Sequence, residues 1–462
     1  TCALPIWHFL MTETRQSIHG QWSSRWAFIL AATGSAVGLG NIWKFPYITG
    51  ENGGGAFVLI YLLCIAVVGI PVMMSEIMLG RRGKQSPIHT MRTLAQEERG
   101  SSSWQIVGWS GVLAGFLILS FYSVIAGWAL SYVVSAVSGS FSGISADQSS
   151  DLFGSLVSNP TVQLSWHTLF MVMTMFVVAR GVRDGLEKAI RLLMPALLVL
   201  LLILVGYAMN SGGFMQGFHF LFDADFSKVT TEGVLTALGH AFFTLSLGMG
   251  AIMVYGAYLP DDVSITRVAF TVAIADTAVA LLAGMAIFPI VFANGLEPGA
   301  GPGLIFQTLP VAFGAMPGGI IFGTLFFLLL VFAAWSSAIS IIEPVVAWLV
   351  EDRGWSRKRA SISAGGVTWV LGIATILSFN VWSEVKWFDK TIFDLLDYLT
   401  ANIMLPLGGL LIALFAGWVM NQNHSRGELG MEEGLYQRWL LLIRYVTPVA
   451  IGLVFLNAID LI

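Results

Sequence analysis

The chain has 462 residues, of which 56% are hydrophobic and only 11% are charged, and its mean hydropathy is +0.79. Soluble domains carry about 25% charged residues, so this composition excludes a soluble globular protein. The formal net charge is −4, and the basic residues are spread over the loops between apolar runs rather than gathered into a patch that could bind nucleic acid.

The first ten residues are expected to be a sequencing artefact. Residues 1–6 can be read as the translation of a common sequencing adapter, so we expect the natural chain to start at Met11 and exclude 1–10 from fold prediction. Cys64 is then the only genuine cysteine, which rules out an intramolecular disulfide. The segment after Met11 has no apolar core, so a cleaved signal peptide is not expected.

Apolar runs long enough to cross about 30 Å of hydrocarbon occupy most of the remaining sequence. Their approximate positions are 24–48, 54–80, 106–136, 164–179, 189–209, 234–257, 268–294, 319–350, 362–380, 393–419 and 440–460. These runs leave no room for a separate soluble domain. The sequence therefore predicts an all-α polytopic membrane protein with 11 transmembrane helices in a single domain over residues 11–462.

The distribution of lysine and arginine predicts how the chain is oriented. With the N-terminus inside, 19 of the 23 basic residues fall on the cytoplasmic side. The four on the opposite side are Lys44, Lys228, Lys386 and Lys390. By the positive-inside rule, we expect a multi-pass protein of the cell inner (plasma) membrane with a cytoplasmic N-terminus and an extracytoplasmic C-terminus.

The first apolar run contains a segment that is a poor helix former. Residues 33–46 read TGSAVGLGNIWKFP, which places three glycines and a proline inside a span. Glycine costs about 1 kcal/mol relative to alanine in a helix, and proline costs roughly 3 kcal/mol. Non-helical backbone at membrane depth is tolerated only where it is buried in protein or lines a cavity, so a broken span is predicted. The alternative is close helix packing through a small-xxx-small face at Gly34 and Gly38.

A second broken span is predicted in the sixth apolar run, where residues 239–250 read GHAFFTLSLGMG. Breaks at the same place in spans one and six predict a five-plus-five inverted repeat with a binding site between the repeats. The first repeat covers 24–210, the second covers 234–419, and helix 11 covers 440–460. Unwound carbonyls suit a cation, and a helix N-terminus offers amide donors to an anion, so a carboxylate bound beside Na⁺ would use both.

Several long motifs resemble the neurotransmitter:sodium symporter family, in particular its bacterial, leucine-transporter-like branch. They are GSAVGLGNIWKFPY at 34–47, ENGGGAF at 51–57, FFTLSLGMG at 242–250, and the pair Gly185 and Pro195. The resemblance covers nearly everything from Trp22 to the C-terminus. It implies a symporter, not an enzyme, that imports a neutral, hydrophobic L-amino acid with sodium by alternating access.

The resemblance also implies two sodium ions, each of which prefers about five or six oxygen ligands. The first site would combine the carboxylate of the substrate with Ala36, Asn41, Thr244 and Asp276. The second site would combine the carbonyls of Gly34 and Val37 with Ala333, Ser336 and Ser337. For the two serines taken alone, the alternative is a hydrogen bond back to their own helix backbone.

Asp276 departs from the many family members that carry asparagine at this position. Animal members hold a chloride one turn away with a serine, which is Ala280 here, and His240 stands where they have glutamine. A fixed carboxylate beside Na⁺ can supply the negative charge of chloride, and a carboxylate inside a span is a functional-site candidate. We therefore expect transport without chloride and hypothesise proton antiport, the alternative being a structural carboxylate bonded to neighbouring hydroxyls.

The family-matched positions predict the walls of the substrate pocket. They are Ala36, Gly38, Leu39, Gly40, Ile118, Tyr122, Phe243, Thr244, Ser246, Met249, Ser337, Ser340 and Ile341. The Tyr122 hydroxyl and the amides near Leu39 and Gly40 would hold the substrate carboxylate. Amine-selective relatives carry aspartate at the position of Gly38, so its absence favours an amino acid. The remaining wall is apolar, and Met249 can repack around different side chains.

Charged residues near the two pocket mouths predict gates. Lys44, which is usually arginine in relatives, would close the outer path with Asp394 or alternatively Asp397, and the loss of bidentate geometry predicts a weaker gate. The inner path would be closed by Trp22 and Glu351, with Arg15, His19 and Asp352 as alternatives.

Glu76 lies deep in predicted helix 2 and is expected to accept hydrogen bonds from the unwound part of helix 1. The alternative is a carboxylate that serves helix packing in general.

The expected partners are a small neutral L-amino acid, Na⁺ and the lipid bilayer, with no nucleic acid and with a monomer or homodimer as the assembly. A membrane enzyme would need a nucleophile with its base or a metal cluster, whereas His167, His219 and His240 are far apart in sequence. A nontransporting amino-acid sensor is a further alternative, although a sensor usually needs an output domain.

Overall fold

The computed structural model describes residues 15–298 and 303–458. The predicted artefact at 1–10 and the predicted start at Met11 lie outside the described residues. Within the described part, the regular structure is helical apart from an isolated antiparallel bridge between Trp387 and Lys390.

We number the main helices in chain order. They are α1 (Arg25–Ala36), α2 (Gly40–Glu51), α3 (Gly55–Gly83), α4 (Pro87–Glu97), α5 (Ser102–Val137), α6 (Ala146–Ser158), α7 (Pro160–Val178), α8 (Val182–Ala208), α9 (Phe214–Phe222), α10 (Thr231–Thr244), α11 (Ala251–Ala257), α12 (Ile265–Ala293), α13 (Leu304–Ala315), α14 (Gly319–Arg353), α15 (Arg357–Ser378), α16 (Ile392–Val419), α17 (Gln422–Leu429) and α18 (Glu433–Leu456).

Nine helices of the described ranges are long and apolar enough to cross a membrane, namely α3, α5, α7, α8, α12, α14, α15, α16 and α18. Helices α1 and α2 meet the same criterion together, as one span bent by 48°. The predicted sixth span consists of α10 and α11, which have 14 and 7 residues and are separated by irregular backbone. The all-α polytopic fold is confirmed, whereas the number of eleven spans stays a prediction.

The break between α1 and α2 follows from local backbone chemistry. Helix α1 ends at Ala36, and Val37 adopts an extended conformation with ψ of 105°. The amide of Gly38 donates to the side-chain oxygen of Asn41 at 3.0 Å, which satisfies a group that the helix has released. Helix α2 then begins with a π-helical turn at Gly40–Lys44, a geometry that recurs at functional sites.

The break between α10 and α11 rests on three residues with left-handed backbone. Ser246, Gly248 and Gly250 have φ of 54°, 80° and 77°. This conformation is cheap for glycine but costs serine about 1–2 kcal/mol. The Ser246 hydroxyl donates to the carbonyl of Ser35 in α1 at 2.8 Å, and this buried bond offsets the strain by joining the two breaks.

Glu76 contacts the second break rather than the first. Its carboxylate accepts a hydrogen bond from the amide of Gly248 at 2.6 Å, so the predicted bond to the unwound part of helix 1 was wrong. The physical reason is the positive φ of Gly248, which turns its amide out of the helix and leaves it in need of a buried acceptor.

Helices α5 and α14 form the centre of the bundle. In their most apolar stretches 83% and 78% of the residues are buried, against 33% in α18, which therefore presents most of its surface to lipid. Both broken spans pack against this centre, and Asp276 of α12 reaches the same region from the other side. The two breaks are thus held inside the protein.

Candidate functional site

Asp276 brings both breaks to one point. Its buried carboxylate accepts a hydrogen bond from the Asn41 side-chain amide at 2.7 Å and lies 3.1 and 3.2 Å from the Thr244 hydroxyl. The Asn41 amide also donates to the backbone carbonyl of Asp276 at 3.1 Å. Three oxygen-bearing side chains from α2, α10 and α12 therefore meet at this point, and hard oxygen donors are what an alkali cation prefers.

Ser337 of α14 contacts the other side of the first break. Its hydroxyl lies 3.4 Å from the Gly34 carbonyl, 3.0 Å from that of Ser35 and 3.1 Å from that of Val37. A hydroxyl has only one proton to donate, so three carbonyls around it are more than it can satisfy. This surplus of oxygen makes the point suitable for a cation.

The neighbouring Ser336 behaves differently. Its hydroxyl donates to the carbonyl of Ala333 at 3.0 Å, one turn back in the same helix. A methyl group added to Gly34 would nevertheless lie only 3.4 Å from the Ser336 Cβ, so the two residues are neighbours. The five residues predicted for the second sodium site therefore lie around the first break, although Ser336 would have to turn its hydroxyl to serve as a ligand.

A small cavity lies between the two breaks. It has about 20 Å³ of free space, room for about one water molecule, and is therefore contracted relative to occupied ligand pockets of roughly 300 Å³ or more. Its lining is Ser35, Ala36, Gly38, Leu39, Gly40, Ile118, Tyr122, Phe243, Ser246, Met249, Ser337 and Ile341.

Two residues predicted for the pocket wall face elsewhere in the structure. Thr244 faces Asp276, and the Ser340 hydroxyl donates to the Ser337 carbonyl at 2.7 Å. Ser35 is a wall residue that sequence reasoning missed, and its carbonyl accepts bonds from both Ser246 and Ser337. No signal in the sequence could have identified it, because its contribution comes from the backbone.

The cavity has one polar end and an apolar wall. The Tyr122 hydroxyl lies at the polar end, where it accepts a hydrogen bond from the Leu39 amide at 3.1 Å. A phenol hydroxyl also has one proton to donate, and here it can go either to the neighbouring Ser337 hydroxyl or to an anion in the cavity. Ile118, Met249 and Ile341 supply the apolar wall opposite. The arrangement can hold a carboxylate next to the cation-suited oxygens and an apolar side chain beyond them.

Two larger cavities approach the pocket from the face of the molecule that holds Lys44, which we call the Lys44 face. Their volumes are about 600 and 360 Å³, and Phe243 lines both of them as well as the small cavity. The Lys44 ammonium group lies 4.9 Å from the centre of the Phe243 ring. Leu39 and Tyr122 also line both the small cavity and the cavity of about 360 Å³, so these two residues and Phe243 lie between the pocket and this face.

The acidic partner of Lys44 was left open between two residues of α16. The Asp394 carboxylate accepts hydrogen bonds from the Thr391 amide and hydroxyl at 3.0 and 2.8 Å, as a helix cap. Asp397 lies about one turn further along α16 and lines the same cavity as Lys44. Neither lies within 4 Å of the ammonium group among the described ion pairs, so the outer gate pair stays a prediction, with Asp397 the better-placed candidate.

The opposite face, which we call the Glu351 face, is closed by packed side chains. The Trp22 indole donates to the Tyr255 carbonyl at 3.1 Å, and the residue is only 2% exposed. Beside it, the Glu351 carboxylate accepts bonds from the Ser86 amide at 2.8 and 2.9 Å. It also lies 3.0 Å from a ring nitrogen of His19 and 3.0 Å from one of His89.

This arrangement distinguishes among the alternatives for the inner gate. His19 contacts Glu351 directly, whereas Arg15 pairs with Glu97 and Asp352 lies 3.6 Å from His89. His89 was missed from the sequence because its contact with Glu351 joins α4 to the far end of α14, 262 residues along the chain, and depends on helix packing.

Comparison with known proteins gives one consistent family. The sequence profile of the "Sodium:neurotransmitter symporter family" matches residues 19–149 and 157–461. The uncharacterized sodium-dependent transporter YhdH of Bacillus subtilis is 42% identical over 446 residues, covering 96% of this chain and 98% of that protein. An uncharacterized sodium-dependent transporter of Haemophilus influenzae is 34% identical, with coverage of 94% and 97%.

A solved structure is similar over nearly the whole chain. The crystal structure of MhsT in complex with L-phenylalanine superposes with a TM-score of 0.89 at 45% sequence identity. The similarity covers 95% of this chain and 99% of that one.

Proposed function

The chain belongs to the sodium:neurotransmitter symporter family, whose members are sodium-coupled transporters rather than enzymes, and from this premise we propose that it imports a neutral, hydrophobic L-amino acid. The observation that carries the proposal is that the two breaks meet at Asp276 and also border one cavity, which is lined by Ser337 and Tyr122. Alternating access would expose this cavity first to the Lys44 face and then to the Glu351 face.

Each half of the substrate has a matching part of the cavity. The carboxylate would lie between the Tyr122 hydroxyl and a sodium ion held by Asn41, Thr244 and Asp276. The side chain would lie against Ile118, Phe243, Met249 and Ile341. The similarity to MhsT, whose solved structure contains L-phenylalanine, supports an apolar side chain, and Met249 and Phe243 can move to enlarge the contracted cavity.

Two sodium ions fit the two groups of oxygen atoms. One charge moving through 100 mV supplies about 2.3 kcal/mol, and a tenfold sodium gradient adds about 1.4 kcal/mol. Two ions would supply roughly 7 kcal/mol, which without proton movement is enough for about a 10⁵-fold accumulation of a net-neutral amino acid. Export of one proton against the same potential would cost about 2.3 kcal/mol of this energy. We further propose that transport needs no chloride and exports a proton, because Asp276 carries the negative charge itself.

The excess of basic residues in the loops on the Glu351 side supports a location in the inner (plasma) membrane with that face towards the cytoplasm. On this proposal the N-terminus is cytoplasmic and the C-terminus extracytoplasmic, and the Lys44 face receives the substrate. The protein would work as a monomer or homodimer.

Uptake into proteoliposomes tests the proposal. We expect an inward sodium gradient to drive accumulation of radiolabelled phenylalanine, leucine or tryptophan. When potassium at equal concentration on both sides replaces the sodium gradient, we expect no accumulation. A protein that binds these amino acids in a sodium-dependent way but never accumulates them would be a sensor, and the transport proposal would fail.

Substitution of Ser337 with alanine is expected to raise the sodium concentration for half-maximal uptake about tenfold, because one oxygen ligand of the second ion is lost. The measurement is uptake as a function of external sodium. Thr324→Ala is the matched control, since that hydroxyl bonds back to Ile320 on the exposed side of the same helix. Equal sodium dependence in the Ser337 and Thr324 variants would contradict the assignment.

Decarboxylated amines are expected to compete poorly with their parent amino acids. Tryptamine lacks the carboxylate that would bind both the first sodium ion and Tyr122, and glycine at position 38 supplies no replacement. We expect tryptamine to displace bound tryptophan about 100-fold less effectively than unlabelled tryptophan does. Equal displacement by tryptamine and by tryptophan in a scintillation proximity assay would show that binding does not depend on the carboxylate, and would contradict the assignment.

A further inference from the structure

The carboxylate of Glu351 contacts two histidines, His19 and His89, which belong to different segments of the chain. His19 precedes α1, and its Nε2 atom lies 3.0 Å from one carboxylate oxygen. His89 is in the first turn of α4, and its Nδ1 atom lies 3.0 Å from the other oxygen. The side chains of His19 and Glu351 are only 2% and 7% exposed, so these contacts are made away from bulk water.

His89 is placed to carry a positive charge. One ring nitrogen faces Glu351, and the other lies 3.6 Å from a carboxylate oxygen of Asp352. A neutral imidazole has only one N–H, whereas the protonated ring can donate at both positions. The hydrogen bond to Glu351 accordingly raises the pKa of His89 above its ordinary value.

Other charged and titratable groups around the cluster have partners of their own. Lys84 bonds Asp261 and the Leu259 carbonyl. The Tyr258 hydroxyl, whose ring packs against His19, donates to Glu343 at 2.7 Å, and Arg357 pairs with that same glutamate. Arg353 pairs with Asp352 at 3.3 Å, while Arg15 and Arg82 pair with Glu97. Among the described ion pairs, the side chains that contact the Glu351 carboxylate are the imidazoles of His19 and His89.

These contacts join the parts that must separate when the Glu351 face opens. His19 lies three residues before Trp22, on the segment that leads into α1, whereas Glu351 lies in the last turn of the central helix α14. The Ser86 amide and His89 hold Glu351 to the start of α4. Movement of the segment before α1 away from the centre breaks the contact between His19 and Glu351.

We propose that His19 and His89 are positioning residues that make the opening of the Glu351 face depend on the pH of the compartment it faces. The proposal rests on the proposed function only in taking this face as the side of substrate release. Arginine in place of the histidines would hold Glu351 at any pH, whereas imidazoles release their charge near neutral pH.

The sign of the effect follows from the closed state. In the closed arrangement the hydrogen bond to Glu351 raises the pKa of His89 above its ordinary value. On this proposal, opening takes Glu351 away from the histidines, so a protonated ring loses its carboxylate partner and protonation favours closure. The stability that protonation of His89 adds to the closed state is fully present below the pKa that His89 has in the open state. It is lost as pH rises through the pKa that His89 has in the closed state. An alkaline cytoplasm would therefore loosen the gate and speed release, and an acidic cytoplasm would hold it shut.

Accessibility of a buried position measures the opening directly. The test uses the full chain with both cysteines replaced by alanine and with Ser86→Cys, a side chain that is 0% exposed and whose hydroxyl makes no hydrogen bond. Alkylation by a maleimide is followed in proteoliposomes at internal pH of about 6 and about 8. Rates are divided by those of Asn423→Cys, an exposed position, to remove the intrinsic pH dependence of the thiol.

We expect the normalised rate to rise about tenfold between these pH values, since one unit of pKa difference between closed and open states corresponds to tenfold. The double variant His19→Gln, His89→Gln should be open at both pH values, with less than about a twofold change. His19→Arg combined with His89→Gln should be closed at both. His424→Gln is the matched control, because His424 pairs with Glu98 at 2.6 Å but is exposed.

A pH profile that persists in the double glutamine variant, or that disappears in His424→Gln, would overturn the proposal. Sodium-driven uptake of the wild type at a fixed pH is measured in the same vesicles. Absence of uptake would refute the proposed function, while the alkylation profile would still decide whether the two histidines control opening.

Discussion

Substitution of Gly38 with alanine is expected to reduce sodium-driven uptake more than about 100-fold while leaving the protein folded. A Cβ atom at this position would lie 2.4 Å from the Ser337 hydroxyl oxygen and 2.7 Å from that of Tyr122. Both distances are far inside van der Waals contact, so both side chains would be displaced. The same methyl group would therefore disturb the second sodium site and the carboxylate donor of the substrate.

Two other glycines calibrate this effect. An added Cβ at Gly34 would lie 3.0 Å from the sulfur of Met194, which is flexible enough to yield, so Gly34→Ala should have an intermediate effect. Gly239→Ala is the matched control, because nothing lies within 4 Å of its added Cβ. Uptake and size-exclusion profiles of the three variants are compared. Normal uptake by Gly38→Ala would contradict the assigned geometry of the pocket.

Substitution of Asp276 is expected to have the second large effect. The carboxylate is bonded to neutral partners, Asn41 and Thr244, so its charge needs a cation when it is ionised. On the proposed function, Na⁺ would supply that cation in the loaded carrier, and a proton would supply it when the empty carrier returns. Asp276→Ala should lower uptake at least about 100-fold, because it removes the charge and leaves Asn41 and Thr244 without their acceptor.

Asp276→Asn distinguishes the contribution of the negative charge from that of the hydrogen bonds, because asparagine is neutral but keeps an acceptor oxygen. It preserves the size of the side chain, and we expect a sodium requirement about tenfold higher, with no coupled proton movement. Wild-type uptake should be unchanged when gluconate replaces chloride and should be accompanied by proton exit, read from a pH dye trapped in the vesicles. Asp184→Asn is the control, since Asp184 is exposed and pairs with Lys188. Wild-type uptake that stops without chloride, or that moves no protons, would falsify this account.

The fold could be predicted from the sequence because a membrane span needs a long apolar run and keeps its backbone hydrogen bonds within the helix unless it is buried in protein. Glycine and proline inside apolar runs predict broken helices, and both breaks are found within the predicted segments. Helix ends were less predictable. The predicted run at 164–179 begins at Pro160 in the structure, because Asn159 caps the helix and polar residues such as Gln163 extend it beyond the apolar stretch.

The candidate site was predictable in its residues but not in their orientations. Ser336 and Ser337 are adjacent and chemically identical, yet one bonds its own helix and the other faces the broken backbone of α1. The contact between Glu76 and Gly248 and that between His89 and Glu351 depend on helix packing across more than 100 residues of sequence. Such contacts leave no local pattern in the chain.

Phe243 borders the small cavity and both large ones, and this shared position ties two properties of the carrier together. On the proposed function, the ring would contact the side chain of the substrate, and together with Leu39 and Tyr122 it would form the wall between the pocket and the Lys44 face. A smaller residue at position 243 would admit bulkier amino acids, but the same gap would allow sodium to cross without substrate. A wider range of substrates at this position would therefore come with looser coupling of transport to the sodium gradient.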